Sequence, residues 1–139
     1  MSKFTRRGFL GMGTGVVGLA ACSAPENTTS SRITVSADSR APFPGRVTFD
    51  HGVASGDPLA DRVIIWTRVT PEDEATTSPI PVSYGVFKDV DMAEPVGFGL
   101  AEATPGNDFT VKVDVTGLTP GTDYFYRFVA RTTSADVTS

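Results

Sequence analysis

The chain is poor in the residues on which metal binding, nucleophilic catalysis and covalent cross-linking usually rest. It carries one histidine, His51, and one cysteine, Cys22, in 139 residues. A metallohydrolase needs several His, Asp or Asn ligands converging on its cations, and a lone histidine supplies no such cluster. With no cysteine after Cys22, no disulfide staples a domain, so any fold has to rest on apolar burial. Ser55, between Ala54 and Gly56, lacks the G-x-S-x-G frame of a hydrolase nucleophile. The acidic runs Glu72-Asp73-Glu74 and Asp89 to Glu94 lack the alternating oxygen ligands and distal glutamate of a calcium loop, and read as solvated loops. No apolar run reaches the roughly 20 residues of a membrane-spanning helix. Positive charge is also short: 12 Lys and Arg against 16 Asp and Glu, with no basic patch to attract nucleic acid.

What is present begins with an address. Thr5-Arg6-Arg7-Gly8-Phe9-Leu10 matches the twin-arginine pattern, a pair of arginines ahead of the bulky apolar Phe9 and Leu10. Gly8 to Ala21 is a weakly apolar, glycine-rich core too short to cross a bilayer. Leu19-Ala20-Ala21-Cys22 then looks like a bacterial lipobox with its cysteine at the cleavage position. The expectation is a signal over residues 1–22, passage through the twin-arginine export machinery, and a lipid anchor on Cys22. The protein would face the periplasm or cell exterior, or be secreted. Residues 23–46, rich in Ser, Thr, Pro and Ala without a sustained period, read as a flexible linker. The first acidic residue is Glu26, so removing Lys3, Arg6 and Arg7 leaves nine basic groups against 16 acidic ones.

From residue 47 to 139 the pattern is strand, turn, strand. Phe109, Val111, Val113 and Val115 alternate with Thr110, Lys112, Asp114 and Thr116, which predicts a strand with one apolar face. Tyr124, Tyr126 and Phe128 make a second such face, with Arg127 and Arg131 opposite, and Val82, Tyr84 and Val86 a third. No segment offers a convincing helical stripe. Gly117-Leu118-Thr119-Pro120-Gly121-Thr122-Asp123-Tyr124 resembles the tyrosine corner of fibronectin type III domains, in which the tyrosine hydroxyl bonds back to the chain at the crossing between sheets. The predicted fold is therefore all-β, an antiparallel sandwich of the fibronectin type III or immunoglobulin-like kind. Its final strand is expected to be incomplete, because Val137 is the only large apolar residue after Arg131.

Ahead of this lies Phe49 to Val69. The turn His51-Gly52-Val53-Ala54-Ser55-Gly56-Asp57-Pro58 places Gly52 and Gly56 where unusual backbone angles are needed, and Pro58 after Asp57 favours an extended connection. His51 reads as a hydrogen-bonding turn residue, and Asp57 as bonding its own backbone. In the strand that follows, both faces are apolar. Trp66 and Ile64 are expected inward, with Trp66 plugging the core between sheets. Val63 and Ile65 are left outward, covered within the domain or by a second one.

These pieces together resemble the amino-terminal domain of PhoD-type alkaline phosphatases. The resemblance runs from Phe49 to about Ser139 and is carried by His51 to Pro58, Ile65-Trp66-Thr67-Arg68-Val69, and Val111 to Leu118 leading into Pro120-Gly121. It implies an exported parent enzyme that hydrolyses phosphate mono- and diesters with iron and calcium. The ligands of those metals would belong to a downstream catalytic domain, so no catalytic, cofactor or metal residue is assigned here. The expected partners are that catalytic domain, the membrane through Cys22, and the export machinery. The competing expectation is a non-catalytic surface lipoprotein that uses a fibronectin-type sandwich as a binding module.

Overall fold

The computed structural model describes residues 38–139 and, for Ser2–Phe4, the backbone. The signals expected at Arg6, Arg7, Phe9, Leu10 and Cys22 lie outside the described residues. The strands are β1 (Ser2–Phe4), β2 (Val47–Thr48), β3 (Val53–Gly56), β4 (Val63–Arg68), β5 (Thr70–Pro71), β6 (Ile80–Phe87), β7 (Pro95–Ala103), β8 (Thr110–Val115), β9 (Tyr124–Ala130) and β10 (Val137–Thr138). One sheet runs β7-β6-β9, with β10 and β1 both pairing with β9. A second runs β3-β4-β8, and β2 with β5 forms a short ribbon. Every strand pairing is antiparallel. The only helical element among the described residues is a single 3-10 turn, Pro105–Asn107. This is the predicted all-β sandwich.

The core lies between the two larger sheets. Val63, Ile65, Val111 and Val115 from one meet Val82, Val86, Tyr126 and Phe128 from the other. The three faces expected from alternation are all present: β8 buries Val111 and Val115, β9 buries Tyr124, Tyr126 and Phe128, and β6 buries Val82 and Val86. Tyr126 and Phe128 meet edge to face, with ring centroids 6.3 Å apart, a geometry aromatic quadrupoles favour.

The corner between β8 and β9 follows its sequence signal. Leu118 is buried in the core, and Gly117 and Gly121 take the positive φ values of 76° and 68° that a side chain would resist. Pro120 is exposed at the apex of the turn. The buried Tyr124 hydroxyl accepts a hydrogen bond from the Thr119 backbone N–H at 2.9 Å. That bond joins the entry and exit of the turn.

Three expectations are corrected. In β4, Val63, Ile65 and Thr67 are buried, while Ile64 and Trp66 sit half-buried on the outer side. Trp66 is thus no core plug, and Val63 and Ile65 do not face outward. The charged residues decide the matter: Arg62 and Arg68 share parity with Ile64 and Trp66, and burying that face would strand two guanidinium groups away from water. In the preceding turn Gly52 has φ 64° as expected, but the second left-handed residue is Asp57, φ 49°, and not Gly56. Gly56 lies within β3, and a side chain there would meet nothing within 4 Å. Asp tolerates the left-handed region better than most residues, which lets it take the turn itself.

The third concerns where the packed unit begins. Phe43 is buried in the core and pairs with Thr132, its N–H donating to the Arg131 carbonyl and its carbonyl accepting from Thr133 N–H, both at 2.9 Å. Arg40 then reaches across the sheet to the carbonyls of Ala101 and Val82, and its guanidinium grips Asp38 at 2.6 and 2.8 Å. Residues 38–46 therefore belong to the sandwich, where an unattached linker was expected.

Candidate functional site: an aromatic outer face

Most of the residues that carried the sequence reading lie in turns and at the corner between β8 and β9. His51 is exposed in the turn between β2 and β3, with Gly52 beside it, and Asp57 and Pro58 are exposed where the chain leaves β3. Leu118, Pro120, Gly121 and Tyr124 form the corner. Among the described residues no group of three or more His, Cys, Asp or Glu side chains is placed to hold a metal ion. An open cleft of about 540 Å³ between β7 and β8 is lined by Glu102, Asn107 and Lys112 with Ala101, Thr110 and Val111.

The feature that stands out lies on the other side of the β7-β6-β9 sheet, away from the core. Register fixes it row by row. Leu100, Ser83 and Val129 are neighbours across the three strands, then Phe98, Gly85 and Arg127, then Pro95, Phe87 and Phe125. Because side chains alternate in strands, each of these points outward when Val82, Val86, Tyr126 and Phe128 point inward. Phe98 is 40% and Leu100 53% exposed, while Phe87, in their midst, is 3% exposed.

A local device keeps Phe87 covered on this outer face. The Phe87 and Phe98 rings meet edge to face with centroids 5.6 Å apart, and the Arg127 guanidinium lies 5.6 Å from the Phe87 ring centre. All of this is built over Gly85: a Cβ there would stand 2.8 Å from the Phe87 ring and 3.0 Å from Phe98. Gly85 is thus a floor that only hydrogen can provide. At one end the patch is rimmed by Glu102 and Arg131, and Arg131 donates to the backbone carbonyls of Asp38 and Arg40.

The outer face of the β3-β4-β8 sheet is different in kind. There Ile64 and Trp66 lie among Lys112 and Asp114 on β8 and Arg68 on β4. Arg62 pairs with Asp114 at 3.1 Å, and Arg68 with Asp108 at 2.8 Å. The Arg68 guanidinium holds the Asp108 carboxyl below the usual carboxylate range. Charged pairs of this sort keep a face in water. The β7-β6-β9 face has a single charge at its centre, Arg127, and that charge is spent on an aromatic ring.

The sequence reading did not single out this patch. Its signal is short: Phe98 and Leu100 share parity in a stretch whose other parity is glycine and alanine, and Phe87 has the parity opposite to Val82 and Val86.

Fold and surface together define the class of module: an antiparallel β-sandwich with an aromatic outer face. Residues 33–139 match the family described as PhoD-like phosphatase, N-terminal domain, and the chain belongs to that family. It is 39% identical over 84 residues to alkaline phosphatase D of Bacillus subtilis (strain 168), a match covering 58% of this chain and 14% of that protein. A solved structure titled "Structure of PhoD" superposes with a TM-score of 0.56 at 36% identity, over 66% of this chain and 17% of that one. The chain thus spans a small fraction of the length of these relatives.

Proposed function

We propose that this chain is the amino-terminal accessory domain of an exported PhoD-like alkaline phosphatase or phosphodiesterase, and that it packs against and positions a downstream catalytic region. The observation that carries the reading is the outer face of the β7-β6-β9 sheet. A soluble domain rarely leaves a phenylalanine and a leucine side by side in water above a buried aromatic unless another surface covers them. The length of the relatives is compatible with such a surface, since most of it lies outside the matched part. In this reading phosphoester hydrolysis, with iron and calcium, belongs to that remaining part. Residues 1–22 direct twin-arginine export, and Cys22 holds the protein to the membrane. An independent binding module would favour aromatic side chains on loops; here the exposed Phe98 is on a strand.

Two observations test this. The reading frame is expected to run on past Ser139 into a region with clustered Asp, His and Asn, and a stop codon there would sink the accessory role. In the full gene product, Phe98→Asp with Leu100→Asp should split one cooperative melt into two and lower phosphatase activity severalfold. A single unchanged melt with unchanged activity would show that the catalytic region docks elsewhere.

A further inference from the structure

The edge of β9 opposite β6 carries a second, unrelated feature. β10 pairs Val137 with Ala130 and Thr138 with Val129. Ser139 continues the register, its N–H donating to the Phe128 carbonyl at 3.1 Å and its hydroxyl accepting from Phe128 N–H at 2.9 Å. The next positions along β9 are Arg127 and then Tyr126, Phe125 and Tyr124. Those last three are paired with Ser2, Lys3 and Phe4 respectively. β1 is antiparallel to β9, as β10 is, so the two run in the same direction along one edge, and β1 stands where a longer β10 would go.

We propose that the β9 edge from Arg127 to Tyr124 is a strand-accepting slot for polypeptide running on from β10, and that Ser2–Phe4 is a competing occupant displaced when that strand forms. Two backbones cannot share one row of N–H and C=O groups, so the two states exclude each other. The competition is unequal. A strand continuing from β10 is already aligned by three residues and has little closure entropy left to lose, whereas residues 2–4 must close a loop of more than 100 residues on β9. Arg6 and Arg7 follow Phe4 by two and three positions. If residues 1–22 are an export leader, completion of the sandwich then frees the Ser2–Phe4 end of that leader from β9.

Trypsin cleavage after Lys3 and amide exchange on β9 test the slot together. The Phe128 groups that meet Ser139 show that the even-numbered amides Tyr124 and Tyr126 face this edge, while Arg131 N–H donates to Pro81, so Phe125 and Arg127 face β6. Among the described residues every fully buried side chain of the core cluster lies between Phe43 and Ala130, so a form lacking residues 1–22 retains all of them. In that form the Tyr124 and Tyr126 amides should exchange at least about tenfold faster, with Phe125 and Arg127 unchanged. Appending Thr-Val-Thr-Val after Ser139 should restore their protection. In the leader-bearing chain the same extension should speed cleavage at Lys3 by about tenfold or more, whereas Thr-Pro-Thr-Pro, which cannot donate to the ladder at its prolines, should do neither. Failure of the Thr-Val extension to restore protection, or equal cleavage at Lys3 in all forms, overturns the proposal. So does protection of Tyr124 and Tyr126 that rises with protein concentration in the form lacking residues 1–22, which assigns the edge to a second copy of the chain.

Discussion

Single side chains fix the geometry at three places, and each can be read by one substitution. Tyr124→Phe removes the acceptor for Thr119 N–H while keeping the ring in the core. The loss should be about 1 kcal/mol, seen as a lower urea midpoint with unchanged slope. Gly85→Ala drives a methyl into the Phe87 and Phe98 rings and should cost roughly 1–3 kcal/mol, far more than an alanine at an ordinary strand position. Asp38 responds to acid. Hydrogen bonding from Arg40 lowers its pKa to about 2. A carboxylate depressed on folding stabilises the native state above its unfolded pKa near 4, and that contribution is lost as pH falls from there toward 2. The pair is partly open to solvent, so the effect should be about 1 kcal/mol. Asp38→Asn should flatten stability between pH 4 and 2 relative to the parent, measured by denaturant titration at each pH.

Strands show where sequence pattern decides and where it does not. β8 and β9 were legible because one parity is apolar and the other polar. The corner was legible because Leu118, Pro120, Gly121 and Tyr124 fall at fixed offsets. β4 was not, since Val63-Ile64-Ile65-Trp66 is apolar on both parities and size alone suggested that tryptophan goes inside. Arg62 and Arg68 held the answer, one position before the apolar run and two positions after it. Ile65→Ala should therefore cost about 2–5 kcal/mol, whereas Trp66→Ala should cost distinctly less. Trp66 fluorescence, the only indole signal available, should be quenched by iodide in the native state. An indole sealed from iodide, with Ile65→Ala tolerated, would restore the opposite orientation of the strand. The Phe98 and Leu100 patch escaped the sequence reading for another reason. Its strand mixes glycine, alanine and single large residues, so no period accumulates, and the row joining β7, β6 and β9 exists only once register is known.

For the molecule as a whole, the two outer faces have opposite characters. Ion pairs lie along the β3-β4-β8 side, and rings and aliphatic side chains along the β7-β6-β9 side. That asymmetry gives the domain a wet side and a dry one. The described residues alone should bind a hydrophobic dye such as ANS, and Phe98→Glu with Leu100→Lys should abolish most of that signal without lowering the melting temperature. Dye binding unchanged by the pair would place the sticky surface elsewhere. What the sequence could not supply at this scale was the contrast between the faces, which exists only once strand register sets which rows lie side by side.

Phe43 and Arg40 give the amino-terminal end a mechanical meaning. Tension arriving at Asp38 from the amino-terminal side would reach the Arg40 grip on Ala101 and Val82 and the Phe43–Thr132 bridge before any strand from β2 onward. Those contacts form a fuse. They can yield under load and re-form while β6, β7 and β9 stay paired, so a jolt on the amino-terminal side is absorbed before it reaches the dry face.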